Sequence, residues 1–177
     1  RPPRSTLFPY TTLFRSKVKK GQKILSIGEV SSHIYYLHSG LIRQYYYKND
    51  KEMTSHLGVD GSIFMSVESL FRETPGAEVI EALEPCYIYA LPKRRLENIA
   101  LHNQNIQILY RKILEEALIE SQIHADLVRF ETAQDRYRRI CKMMPKVVLR
   151  APLVYIASYL QMTPETLSRV RSSTLVD

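Results

Sequence analysis

The hydrophobic pattern of this chain changes its period at Pro92, and the change separates a strand-rich part from a helical part. Before Pro92, short runs rich in β-branched and aromatic residues alternate with Gly, Asn-Asp and Pro-Gly turn signals. Many short strands with regular turns predict an antiparallel roll or barrel. The predicted strands cover residues 24–27, 34–37, 41–47, 79–83 and 87–91.

Beyond Pro92 the apolar residues recur every three or four positions, which is the period of a helix. Residues 93–101 predict a short helix, and Asn103 can cap a longer one because its side chain accepts from free backbone N–H groups. A helix of about 25 residues spans roughly 38 Å, a length that favours a dimer seam over a helix packed only on its own roll. The predicted seam residues are Ile106, Tyr110, Ile113, Ala117 and His124.

Residues 153–172 carry the signals of two short helices joined by a tight turn. Thr163 is a good N-cap, Pro164 suits the first helical position, and Gln161 stands in the turn where a left-handed conformation is expected. This layout is that of a helix-turn-helix, whose second helix enters the major groove of DNA. Arg169 can donate two hydrogen bonds to guanine, and Glu165 can accept from cytosine. The predicted DNA-binding residues are Thr163, Pro164, Glu165, Thr166, Ser168 and Arg169.

Basic charge is concentrated in the last quarter of the chain. Residues 129–177 carry nine Lys and Arg against four Asp and Glu, whereas residues 17–128 carry thirteen against fourteen. A local excess suggests a polyanionic partner, although an ordinary solvated face explains the charge equally well by itself. Together with the helix-turn-helix pattern, it predicts double-stranded DNA as the partner.

Other features of the sequence bear on its partners, its cellular location and its domain boundaries. No run of 18 apolar residues occurs, so a membrane partner is not expected. Two cysteines are too few for a disulfide framework or a cysteine-ligated cluster, and they fit a reduced, cytoplasmic setting. Residues 1–16 contain near-repeats and no acidic residue, which predicts a non-native or artefactual leader, with a transit-type peptide as the alternative. The predicted domains are then a sensor roll at 17–101, a dimerisation helix at 102–128 and a helix-turn-helix domain at 129–177.

Residues 17–172 resemble the cyclic-AMP receptor protein (Crp/Fnr) family. The likeness is carried by Lys19-Lys20-Gly21-Gln22 with Gly28, by residues 35–43, and by residues 156–160 and 163–169. It implies an α+β fold with an N-terminal cyclic-nucleotide-binding-like β-roll (jelly roll), a homodimer that reads a palindromic operator, and RNA polymerase as a further partner. The chain resembles short members without an evident wing, and truncation of the last domain is the open alternative.

The predicted effector pocket departs from this resemblance. Where cyclic-nucleotide binders place an Arg-Ser/Thr-Ala stretch, this chain has Gly76-Ala77-Glu78, and Glu78 would repel an anion. Arg72 lies in the preceding loop and could substitute for the arginine, and Glu68 can match the acid of the pocket. The predicted pocket residues are therefore Glu68, Arg72, Ala77 and Glu78, and the predicted effector is an unknown small molecule other than cyclic AMP.

Two other classes of protein compete with a regulator. A cupin-like metal enzyme would need several His and carboxylate ligands converging on one site, and the five histidines show no tight ligand spacing. A ligand-sensing module without DNA contact would not need the basic tail or Arg169. The sequence therefore predicts a DNA-binding regulator without enzymatic activity or cofactor.

Overall fold

The computed structural model of the protein describes residues 14–174, which form a β-roll followed by a helical region. Eight strands occur within these residues, in two four-stranded antiparallel sheets of order β1-β8-β3-β6 and β2-β7-β4-β5. The strands are β1 Phe14–Val18, β2 Lys23–Leu25, β3 His33–Ser39, β4 Leu41–Lys48, β5 Lys51–Val59, β6 Ile63–Phe64, β7 Glu78–Ala82 and β8 Cys86–Pro92. One helix, α1 Val67–Arg72, interrupts the roll between β6 and β7.

The core of the roll lies between the two sheets, where alternate residues of each strand point inward. In β8, for example, Cys86, Ile88 and Ala90 are fully buried while the residues between them are half-buried. The chain crosses from one sheet to the other at Gly40, between β3 and β4. Gly40 has φ +125°, and a Cβ built there would lie 2.4 Å from the Sγ of Cys86, so this close crossing requires glycine.

Six helices follow the roll in the described part of the chain. Asn103 caps the longest of them, since its side chain accepts from the backbone N–H groups of Asn105 and Ile106 at 3.0 and 3.2 Å. The predicted cap is confirmed. No helix among these residues combines the length and apolar content that crossing a membrane requires. The six helices are α2 Lys93–His102, α3 Gln104–Phe130, α4 Ala133–Met143, α5 Pro145–Arg150, α6 Leu153–Tyr159 and α7 Pro164–Thr174.

The α+β roll-and-helix architecture is confirmed, and it contains three strands and the short helices α1 and α5 that the sequence pattern did not predict. The first strand begins at Phe14, inside the segment predicted to be a leader, because Phe14 pairs with Ala90 and Ser16 with Ile88. A boundary at residue 17 would therefore divide β1, and the rest of that segment, residues 1–13, lies outside the described residues. The other strands that the sequence did not predict are β5 and β6.

Candidate functional site

The helix-turn-helix consists of α6, a turn, and α7. Thr163 caps α7, because its Oγ1 accepts from the backbone N–H of Thr166 at 3.2 Å, and Pro164 is the first residue of the helix. Gln161 in the turn has φ +50°, so the expected left-handed conformation is confirmed. Each local signal read from the sequence in this segment thus has its structural counterpart.

The two faces of α7 differ sharply in burial. Leu167 is fully buried in a cluster that includes Ile156, Ala157 and Leu160 of the preceding segment. Of the six residues predicted to contact DNA, Thr166 is half-buried and the others are exposed. A hydrogen bond from Thr163, and the charge of Arg169, lower the pKa of Glu165. The structure therefore brings the six residues together, with a cation and an ionised carboxylate, on an open surface.

The helical region is docked directly on the roll. Ser158 of α6 meets the outermost strand β5: its Oγ accepts from the backbone N–H of Thr54 at 2.9 Å and donates to the carbonyl of Glu52 at 3.2 Å. Arg150 at the end of α5 contacts two roll carboxylates, those of Asp60, at 2.6 Å, and Glu84. The apolar cluster that buries Leu167 also contains Leu41 and Leu57 of the roll.

A buried arginine joins the two regions. The Arg43 side chain donates to Thr54 at 2.9 Å and to Glu52 at 2.6 Å, and lies 3.4 Å from Glu81. Its guanidinium carbon is 4.3 Å from the ring centroid of Tyr45 and 3.9 Å from that of Tyr155 in α6. Sequence reasoning did not assign this role, although a lone charge inside an aromatic strand was a visible signal.

The face of α3 that was predicted to be a dimer seam contacts its own chain. Ile106, Tyr110 and Ile113 pack on a roll cluster that contains Met65 and Leu70. Ala117 and His124 line a cavity. Helical periodicity identifies the apolar face of α3, but it does not show whether the same chain or a second copy covers that face. The large apolar residues that α3 leaves exposed before its last turn are Ile108, Leu109, Leu118 and Ile119.

This cavity, of about 400 Å³, lies between the roll, α3 and the ends of α4 and α6. Of the four residues predicted for the effector pocket, only Glu78 lines it. Glu68 and Arg72 instead pair with each other at 3.5 Å on the exposed surface of α1, and Ala77 is exposed. The polar lining residues are Gln44, Ser55, His56, Glu78, Glu120, Ser121, His124 and Tyr159.

Glu78 is held on the roll side of the cavity by neutral donors. Its carboxylate accepts from Gln44 Nε2 and Ser66 Oγ, both at 2.7 Å, and from Ser55 Oγ at 3.4 Å. On the helical side, His124 Nε2 donates to the carbonyl of Tyr159 at 2.9 Å, and the two rings stack with centroids 4.2 Å apart. The cavity wall therefore includes a direct contact between α3 and the helix-turn-helix.

His56 is an unusual member of the lining. Burial, and secondarily the neighbouring His124, lower its pKa from 6.5 to about 4. Its Nε2 is buried and has no hydrogen-bond partner. The ring is therefore neutral at physiological pH and presents an unused polar atom.

This pKa predicts a pH-dependent stability. Below pH 6.5 the unfolded chain protonates His56, whereas the folded chain does so only near pH 4, so unfolding takes up a proton in that window. We expect the urea midpoint to fall as the pH is lowered from 6.5 to 4, and to fall less steeply in His56→Gln. His38→Gln, which removes an exposed histidine, should keep the parental slope. Equal slopes in His56→Gln and the parent would contradict the assigned pKa.

The described chain is thus an antiparallel β-roll joined by one long helix to a helix-turn-helix, with a ligand-sized cavity between the roll and the helices. The family model for the cyclic nucleotide-binding domain matches residues 15–103, and the chain belongs to that family. No curated protein matches the sequence.

Solved structures of other proteins resemble this chain in fold over the helical region as well as the roll. FixK2 from Bradyrhizobium japonicum is 19% identical with a TM-score of 0.77, over 94% of this chain and 86% of that one. The c-di-GMP-responsive regulator CLP from Xanthomonas campestris is 16% identical with a TM-score of 0.70, over 93% and 87%. A crp/fnr-family regulator from Eubacterium rectale is 15% identical with a TM-score of 0.67, over 93% and 79%. The protein thus has the Crp/Fnr fold.

Proposed function

We propose that this protein is a DNA-binding transcription regulator of the Crp/Fnr type. It acts as a homodimer that reads a palindromic operator, under control of a ligand in the cavity between the roll and α3. The observation that carries the proposal is the two-sided α7: Leu167 is fully buried while Glu165, Ser168 and Arg169 are exposed together. A helix with an anchored inner face and a polar outer face is the unit that enters a major groove.

Charge and position support this reading of α7. Arg169 lies on the exposed face, 3.5 Å from the hydroxyl of Thr166, and has no carboxylate partner among the described ion pairs. An arginine in such a position can donate two hydrogen bonds to guanine, and the capped N-terminus of the helix favours a phosphate. The basic excess of residues 129–177 adds the sequence-independent attraction that DNA binding uses.

Arg169→Ala tests the proposal. We expect the variant to bind its selected operator about 1–3 kcal/mol more weakly and to lose preference at one base pair of each half-site, because a bidentate base contact is removed. The operator is first obtained by selection from random DNA, and its half-sites should be centred roughly 34–36 Å apart.

The matched control is Arg138→Ala. Arg138 is a half-exposed arginine of α4, 3.7 Å from Asp135. Its loss should weaken all DNA sequences alike, with a salt slope reduced by about one if a phosphate contact is lost. Parental affinity and preference in Arg169→Ala would overturn the assignment of α7 as the recognition helix.

The dimer interface is proposed for the exposed apolar residues of α3. Leu118, 71% exposed in one chain, is expected to be covered by a second copy, so Leu118→Glu would bury an unpaired charge in the dimer while leaving the single chain intact. Sedimentation should then show a monomer. Gln107→Glu, at an exposed position of the same helix, is the control and should remain dimeric. A dimeric Leu118→Glu would exclude this seam.

A further inference from the structure

We infer that the cavity between the roll and α3 takes an organic cation, a small molecule with a protonated amine on an aromatic or aliphatic body. The inference rests on the proposed function, in which this cavity holds the effector, and it names the chemical class of that effector. Three features carry it: the charge of the lining, an unpartnered polar atom, and the apolar remainder of the wall.

The charged groups in the wall are acidic. Glu78 and Glu120 line the cavity, and no lysine or arginine does so among the described residues. Neither carboxylate belongs to an ion pair in the part of the chain that the structure describes. Glu120 is exposed at the rim of the cavity, where partial burial and the adjacent Glu116 raise its pKa and no cation among the described ion pairs compensates its charge. An ammonium group would supply that compensation, whereas a phosphate would be repelled.

The unpartnered atom is Nε2 of His56. It is buried in the wall and makes no hydrogen bond. A buried polar group of this kind costs free energy until it is paired. Because the ring is neutral, with its pKa near 4, the tautomer protonated on Nδ1 offers Nε2 as an acceptor for an ammonium N–H.

The rest of the cavity wall suits the uncharged, apolar part of the ligand. Aromatic and thioether side chains accommodate flat or flexible apolar groups, and stacked aromatic rings add attraction for a nearby cation. The cavity volume of about 400 Å³ falls in the range of metabolite-sized sites. The apolar lining residues include Ile63, Phe64, Ile123, Met143 and Met144.

The position of the cavity gives the ligand a route to the DNA-reading unit. Met144 separates α4 from α5, and Tyr159 ends α6, immediately before the turn that leads to α7. A ligand seated here touches the roll, α3 and the helix-turn-helix together. Its binding free energy therefore differs between docked and released arrangements of the helices, which is the requirement for an effector.

A series of indoles matched in size but differing in charge tests the inference: tryptamine as the cation, 3-propylindole as the neutral isostere, and indole-3-propionate as the anion. Calorimetry on the full chain at neutral pH should show saturable binding of tryptamine, about tenfold or more tighter than binding of indole-3-propionate. Glu120→Gln should weaken tryptamine binding by about tenfold while leaving 3-propylindole unchanged. Glu115→Gln, an exposed acid of the same helix that pairs with Arg111, should change neither affinity.

Three results would overturn the inference: stronger binding of indole-3-propionate than tryptamine, saturable binding of cyclic AMP, or no binding of any indole at millimolar concentration. Glu120 is chosen because Glu78 carries three hydrogen bonds of the roll, so its loss could unfold the protein. Failure here leaves the DNA result of Arg169→Ala standing, since that measurement uses no ligand. Failure of DNA binding, with selective tryptamine binding retained, would instead reject the regulator and keep the site.

Discussion

Gly40→Ala should lower the free energy of unfolding by about 2–6 kcal/mol, the sum of a strained backbone and an overfilled core. The new Cβ would lie 2.4 Å from the Sγ of Cys86 and 2.9 Å from its Cα, and the φ of +125° is one that alanine rarely adopts. Cys86 cannot yield easily, because it is fully buried and its thiol lies 3.4 and 3.2 Å from the carbonyl oxygens of Leu41 and Glu84, either of which can accept its proton. Urea unfolding of the two proteins measures the difference.

Gly61→Ala is the matched control for this prediction. Gly61 also has a positive φ, +91°, but a Cβ there would meet nothing within 4 Å. Only the backbone cost remains, so the loss should be about 1–3 kcal/mol. If both variants lost the same stability, the contact between residue 40 and Cys86 would make no measurable contribution to the free energy of unfolding.

Arg43→Ala should cost about 3–5 kcal/mol, as expected when one partner of a buried charge network is removed. The substitution leaves the Glu81 side chain, only 15% exposed, without its cation. It also leaves the rings of Tyr45 and Tyr155 without the guanidinium that they flank. We expect Arg43→Lys to recover only part of the loss, because an ammonium cannot reproduce the planar, multiply bonded guanidinium.

Two further variants help to interpret the Arg43→Ala result: one removes an exposed arginine elsewhere, and the other removes an aromatic partner of Arg43. Arg72→Ala removes an arginine whose pair with Glu68 is solvent-exposed, and should change stability by less than about 1 kcal/mol. Tyr155→Ala removes the α6 side of the Arg43 contact together with the packing of Tyr155 on the apolar cluster that joins the helices to the roll, and should increase proteolysis between α4 and α6 while the roll stays folded. A neutral effect of Arg43→Ala on urea unfolding would show that the network is not a determinant of stability.

Local signals explain which elements could be predicted. The Asn103 cap, the Thr163-Pro164 start of α7 and the left-handed Gln161 each depend on a few neighbouring residues. Strand β5 was missed because its sequence, KEMTSHLGV, mixes charged, small and glycine residues that have low strand propensity. Its conformation comes from pairing with β4 along its whole length, a contact that sequence period does not reveal.

The cavity was harder to predict than the exposed face of α7, because its residues are distant in sequence. The six residues of the α7 surface are adjacent in sequence, so helical geometry alone brings them together. The cavity joins His56 and Glu78 of the roll to Glu120 of α3 and Tyr159 of α6, residues that meet only through tertiary contacts. The resemblance to the Crp/Fnr family suggested Glu68 and Arg72 as effector-pocket residues, but both side chains lie on the solvent-exposed surface of α1.

The contact between Ser158 and β5 covers part of the edge of the second sheet. Strand β5 is the outermost strand of its sheet. The hydroxyl of Ser158 accepts a hydrogen bond from the N–H of Thr54 and donates one to the carbonyl of Glu52. An uncovered strand of this kind is a template for pairing with other chains and for aggregation. Any movement of α6 away from the roll would therefore uncover β5 at these two positions. The α6 helix thus covers part of the edge strand β5 and also packs against α7.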